Sequence, residues 1–172
     1  MEQIGQQIDR VPAAVITTPA TSACYTAMKS AEETIMLGEK LGEFRGKVTG
    51  QRVLPAVEGR PTLETSFEIS GTILGVNAMM MGTYWSTVRP DGTLYGECPQ
   101  QGLLMTQDGE IGTWSGTGAG RFTGHGSAVS FRGTLYFQTT SPKLARLNGM
   151  AVLYEWDVDE HGNAQTPLWE WK

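Results

Sequence analysis

From about Glu43 onward, hydrophobic and polar residues alternate with a period of two. Phe67, Ile69, Gly71 and Ile73 interleave with Ser66, Glu68, Ser70 and Thr72. Val129, Phe131, Gly133, Leu135 and Phe137 interleave with Ser130, Arg132, Thr134, Tyr136 and Gln138, and Met150, Val152, Tyr154, Trp156 and Val158 repeat the pattern. Successive side chains of a strand point to opposite faces, so this alternation predicts strands with one buried and one solvated face, the habit of antiparallel sheets. Between such runs, Arg89-Pro90-Asp91-Gly92, Gln107-Asp108-Gly109 and Glu160-His161-Gly162-Asn163 supply residues that tolerate positive φ and read as hairpin turns. Strands are predicted over residues 43–54, 62–74, 76–88, 93–98, 102–107, 111–116, 127–139, 148–158 and 165–171, eight or nine in all.

The first 42 residues have a different texture. Only Gly5, Gly38 and Gly42 of the chain's 22 glycines fall there. Pro12, Pro19 and Thr17-Thr18 read as an extended arm, and Thr21-Ser22 offers an N-cap for a helix carrying Tyr25, Met28, Glu32, Ile35 and Met36 near helical spacing. Gly38 or Gly42 would end it. The chain therefore divides into an N-terminal arm and helix, residues 1–42, and an antiparallel β-barrel domain, residues 43–172. The amphipathic helix is read as packing on its own domain or on a neighbouring subunit.

Glycine and charge sharpen this. Six Gly-Thr dipeptides start at Gly71, Gly82, Gly92, Gly112, Gly116 and Gly133 at uneven intervals, which excludes a propeller or solenoid. Glycine within strands instead permits the sharp bending of a small closed barrel, and closure removes exposed sheet edges. With 13 Lys and Arg against 18 Asp and Glu the net charge is −5, so there is no basic footprint for nucleic acid. The longest apolar run is the five residues Met150–Tyr154, far short of a membrane span or a signal-peptide core, and no N-glycosylation sequon occurs. Cys24 and Cys98 form no Cys-x-x-Cys pair. These features predict a cytoplasmic protein with free thiols and no membrane partner.

Gly116-Thr117-Gly118-Ala119-Gly120-Arg121-Phe122-Thr123-Gly124-His125-Gly126 is the densest glycine stretch. It lacks the spacing of a dinucleotide fingerprint and of a phosphate loop, and reads as a glycine-rich connection between strands. Gly120-Arg121-Phe122-Thr123-Gly124, preceded by Gly-Thr-Gly and followed by a long alternating strand, resembles the Gly-Gly-x-Gly-x-Phe-x-Gly segment of allene oxide cyclases and a similar segment of dirigent proteins. The resemblance covers residues 111–137 and matches no active-site residue of either family. It implies a calycin-like barrel with an apolar lumen, in families that are often oligomeric and that shape hydrophobic small molecules.

The candidate chemistry is sparse. Asp157-x-Asp159-x-His161-Gly162 begins like a calcium loop but has His at position five and Leu168 at position twelve, and reads as a turn. Two histidines, His125 and His161, are too few for a transition-metal site, so no metal and no cofactor is expected. No Gly-x-Ser-x-Gly elbow occurs, and Cys98, beside Glu97, reads as a buried structural thiol. Glu64, Glu68, Glu97 and Glu155 lie in or beside strands, and one pointing into an apolar lumen would have a raised pKa suited to proton transfer. Large apolar residues, among them Met79-Met80-Met81, would either fill the barrel or wall a cavity of about 300 Å³ or more. The leading expectation is an all-β closed barrel that binds a hydrophobic small molecule, with Trp85, Met105, Trp114, Phe131, Tyr154 and Trp156 as wall and Glu97 or Arg121 as polar contacts. Two alternatives stand beside it: a cyclase or isomerase using a buried glutamate, and a solid barrel whose outer face assembles a homo-oligomer.

Overall fold

The computed structural model describes residues 37–124 and 126–172. The helix expected between Thr21 and Gly38 lies outside the described residues, apart from its last positions. Eight strands follow one another: β1 (Lys40–Val57), β2 (Arg60–Ile73), β3 (Val76–Val88), β4 (Leu94–Thr106), β5 (Ile111–Phe122), β6 (Val129–Thr139), β7 (Val152–Val158) and β8 (Asn163–Glu170). Each pairs antiparallel with its sequence neighbour, and β8 returns to β1 through Phe44↔Thr166 and flanking pairs, closing the barrel.

The turns follow from local chemistry. Glu58-Gly59 and Leu74-Gly75 place two consecutive residues at positive φ, as a two-residue hairpin of the type that matches strand twist requires. Gly92, Gly109 and Gly162 take positive φ in the three turns legible in the sequence. Four boundaries differ from expectation. Residues 93–98 and 102–107 are one strand, β4, interrupted by a register shift between Cys98 and Gly102 at which Gln100 has φ 57°. The bulge resembles a strand break in sequence because Pro99-Gln100-Gln101 carries no apolar alternation. The glycine-rich stretch is not a connection as far as Phe122; it is the second half of β5, paired residue for residue with β6. β1 begins at Lys40 rather than 43, and β7 only at Val152.

The two ends of the barrel are unlike. At the end where β1 starts and β8 finishes, Leu41, Ile73, Leu104, Val152 and Leu168 are buried. The β6–β7 connection, with a 3-10 turn over Ala145–Leu147, adds Leu144 and Leu147, both fully buried. Arg146 ties this cap down, donating to Glu39 at 2.7 Å and Glu170 at 2.9 Å. Among the described residues the opposite end stays open. There β1 outruns its β8 partner after Lys47 and pairs on one side only, with β2, leaving Val53 and Val57 78% and 52% exposed.

Candidate functional site

Alternation along each strand selects what enters the lumen. Phe67 and Ile69 of β2, Met80 and Tyr84 of β3, Cys98 of β4, Trp114 of β5, Phe131 and Leu135 of β6, Tyr154 and Trp156 of β7 and Thr166 of β8 share the inner face. Five of them form one aromatic cluster. The Phe67 ring lies 4.5 Å from Trp156 and 6.0 Å from Trp114, centroid to centroid. Tyr84 meets Phe131 at 6.0 Å and Trp156 at 6.2 Å, both edge to face, the arrangement the ring quadrupole favours. The Trp156 indole N–H donates to the Tyr84 hydroxyl at 3.4 Å.

So many rings fit a narrow barrel because glycines on the neighbouring strands lie beneath them: Gly102 pairs with Trp114 and Gly120 with Phe131. A Cβ at Gly102 or Gly82 would lie 2.1 Å or 2.7 Å from the Trp114 ring, and one at Gly120 would lie 2.5 Å from Phe131. At Gly118 it would lie 2.3 Å from the Tyr154 hydroxyl. The glycine stretch thus serves as the inner wall against which large side chains pack, not as a phosphate cradle.

Packing leaves two spaces. An apolar chamber of about 60 Å³ lies among Phe67, Trp114, Phe131, Tyr154 and Trp156. A pocket of about 260 Å³ occupies the open mouth, between Val48, Leu63, Val88, Leu94, Phe122 and Val158, with Glu160 and His161 at its border. Tyr84 and Phe131 border both, so their edge-to-face pair is the partition between mouth and chamber. The chamber alone falls far short of the ~300 Å³ of a small-molecule site, and the interior is mostly packed core. Mouth and chamber together are of that order.

Four of the eight residues expected at the site, Trp114, Phe131, Tyr154 and Trp156, wall the chamber. The other four point outward, because the pleat gives the inner position to their neighbours. Tyr84 turns in and Trp85 out, where its indole N–H donates to Glu64 at 3.1 Å. Cys98 turns in and Glu97 out, accepting from the Tyr95 hydroxyl at 3.4 Å. Leu104 is buried inside while Met105 faces outward, and Gly120 lies inside while Arg121 is exposed. Phe67 and Tyr84, the centres of the aromatic cluster, were absent from the expected set. Phe67 was legible in the β2 alternation, but nothing local distinguished Tyr84 from Trp85.

No carboxylate enters the lumen from the four glutamates weighed for catalysis. Glu64 pairs with Arg52 at 3.0 Å, Glu155 with Arg132 at 3.3 Å, Glu68 is exposed, and Glu97, though it borders the chamber, has its carboxylate hydrogen-bonded to Tyr95 on the outer face. The proton-donor role expected of a buried glutamate therefore has no holder among them. The groups that do face the chamber are neutral near pH 7. Burial raises the pKa of Tyr84 and of Tyr154 above the ordinary phenol value. Burial also raises that of Cys98, partly offset by hydrogen bonds from the backbone of Gln101 and Thr83. The indole nitrogen of Trp114, a residue only 4% exposed, is buried with no hydrogen-bond partner among the described residues. Among the described residues no cluster of three or more His, Cys, Asp or Glu could hold a metal, and no helix is long and apolar enough to cross a membrane. Cys24 and His125 lie outside the described residues.

No family model matches the chain, and no curated protein matches it. Solved structures do. A conserved protein of unknown function, RPA1785 from Rhodopseudomonas palustris, superposes with a TM-score of 0.65 at 11% identity, over 77% of this chain and 95% of its own. A protein with unknown function from Clostridium acetobutylicum superposes with a TM-score of 0.64 at 15% identity, over 78% and 98%. A beta-barrel like protein from Acinetobacter baumannii, ABAYE2633, gives 0.65 at 16%, over 78% and 94%. The chain is a β-barrel of the kind these proteins share. At such identities the likeness concerns the fold alone, and the resemblance to allene oxide cyclases and dirigent proteins is supported as far as the barrel.

Proposed function

We propose that the protein binds a small, mostly apolar molecule in the open mouth of its barrel, with one end of the ligand reaching past Tyr84 and Phe131 into the aromatic chamber. The observation that carries this reading is the asymmetry of the barrel. One end is capped by fully buried aliphatic side chains, while the other opens through a 260 Å³ pocket onto an aromatic-lined space. The resemblance to families that handle hydrophobic small molecules points the same way. With neutral lining groups and no inward glutamate among the four candidates, the arrangement suits holding a molecule better than acid–base turnover.

The test is a thermal-shift screen of neutral single-ring compounds followed by calorimetric titration. A ligand at a hundredfold excess over its Kd stabilises by about 2.7 kcal/mol, which is roughly 5–10 °C in Tm for a domain of this size. Saturable 1:1 binding is expected, abolished by Gly96→Val and retained by Trp85→Phe. Gly96 borders the chamber, and the three atoms nearest a Cβ there all belong to the Phe131 ring, the closest at 3.1 Å, so the added side chain presses on a side chain of the chamber wall rather than on backbone. The reading fails if no compound in the screen binds, or if Gly96→Val binds as well as the unaltered chain.

A further inference from the structure

The lumen holds hydrogen-bond capacity that the fold does not use. Trp114 is nearly fully buried, walls the apolar chamber, and leaves its indole N–H without a partner. An indole nitrogen can only donate. Leaving such a donor unmet in an apolar interior is costly, and native structures rarely tolerate it without reason. Trp156, in the same cluster, has its own N–H satisfied by the Tyr84 hydroxyl, so indole burial here does not by itself preclude a partner. The other polar side chains around the chamber are the Tyr84, Tyr154 and Thr166 hydroxyls and the Cys98 thiol, uncharged near neutral pH, and Glu97, whose carboxylate accepts from the Tyr95 hydroxyl on the outer face. Among the described residues neither Lys nor Arg borders the chamber or the mouth pocket, and the carboxylate at the mouth is that of Glu160.

From this we infer that the ligand is a neutral molecule with a compact hydrogen-bond acceptor, such as a ketone, aldehyde or ether oxygen, which takes the Trp114 N–H while an apolar body fills the mouth. This assignment rests on the small-molecule reading above and adds the ligand's chemical class. Size sets the orientation. A chamber of about 60 Å³ is the smaller of the two spaces and suits a carbonyl with its immediate substituent better than a ring. The ring or chain therefore stays in the 260 Å³ mouth, against the Tyr84 and Phe131 edges. Charge sets the class. A carboxylate carried inward would lose its hydration without meeting a cation, so free fatty acids and aromatic acids are excluded where their neutral carbonyl counterparts are accepted.

The experiment titrates the full chain with acetophenone, ethylbenzene and benzoate at pH 8 by calorimetry. In parallel, the tryptophan indole N–H resonances are followed by NMR, with that of Trp114 identified from its loss in Trp114→Phe. Acetophenone is expected to bind about fivefold more tightly than ethylbenzene, the worth of one ordinary hydrogen bond, and benzoate not to bind. The Trp114 indole proton should move downfield with acetophenone and not with ethylbenzene. Trp114→Phe should erase the preference. Should that variant fold poorly, assignment of the indole protons in the unaltered chain from their through-space contacts to neighbouring side chains keeps the NMR test decisive. Equal affinity for acetophenone and ethylbenzene with an unmoved Trp114 resonance would overturn the donor role while leaving the pocket standing. Benzoate binding as tightly as acetophenone would overturn the neutral class. Binding by none of the three would count against the pocket itself as well as the inference.

Discussion

Gly133→Ala is the substitution for which local propensity and tertiary packing predict opposite signs. Replacing a strand glycine by alanine ordinarily stabilises by about 0.4–1 kcal/mol, because the unfolded chain loses freedom. At Gly133, however, a Cβ would stand 2.0 Å from the Thr117 carbonyl oxygen and 2.6 Å from the Gly118 Cα, both main-chain atoms of β5. Real Cβ contacts are essentially never below 3.0 Å, so β5 must withdraw from β6 by about an ångström at this point. Thr117 and Gly118 pair with Thr134 and Gly133 in the ladder, and such a withdrawal stretches the two or three nearest inter-strand hydrogen bonds beyond useful length. At a net 0.5–1.5 kcal/mol each, less the entropic gain, the loss comes to about 2 kcal/mol. In urea this lowers the midpoint by roughly 1 M for an m-value near 2 kcal/mol/M. Gly50→Ala is the control, since nothing lies within 4 Å of a Cβ there. It should leave the midpoint unchanged or raise it slightly. A Gly133→Ala midpoint equal to or above that of Gly50→Ala would refute the close approach of β5 and β6.

Two pH effects follow from the ionisable groups. The Lys143 ammonium, with help from the Thr106 hydroxyl, holds the Asp108 carboxyl at about 2 against an ordinary 3.8. A depressed folded-state pKa means a contribution fully present above pH 3.8 and lost as the pH falls toward 2. Lys143→Met should therefore flatten the acid limb of the urea midpoint over that interval, and a limb unchanged in slope would remove the pair from the account. Tyr84 and Tyr154 behave oppositely, their raised pKa values conferring stability that is complete below about pH 10 and lost as the pH climbs through the folded-state values. Absorbance at 295 nm should show two tyrosines of the chain's five ionising late, together with unfolding. Titration of all five near pH 10 with the fold intact would place these rings in water.

Legibility varied with the opposite face of each strand. On β6 and β7 the inner row of Phe131, Leu135, Tyr154 and Trp156 alternates with Arg132, Tyr136, Glu155 and Asp157, so polarity alone says which side is buried. On β3 and β4 both faces carry bulk. Tyr84 and Trp85, or Leu104 and Met105, are adjacent and equally apolar, and a shift of one residue exchanges them. Which of each pair turned inward was decided by closure of the barrel. The choice put Trp85 and Glu97 outside and Tyr84 and Cys98 within.

The amino-acid sequence determined the antiparallel strands, the hairpin turns and an aromatic supply too large for a barrel without relief, because strand period and turn chemistry act between near neighbours. Tertiary structure alone decided that the glycines of β5 and β4 lie beneath Trp114, Phe131 and Tyr154, that one end is capped by Leu144 and Leu147, and that the buried indole N–H of Trp114, a residue of the chamber wall, finds no partner among the described residues. Those outcomes depend on strand tilt and stagger around a closed sheet, which bring together residues far apart in the chain, and no local pattern encodes such distances.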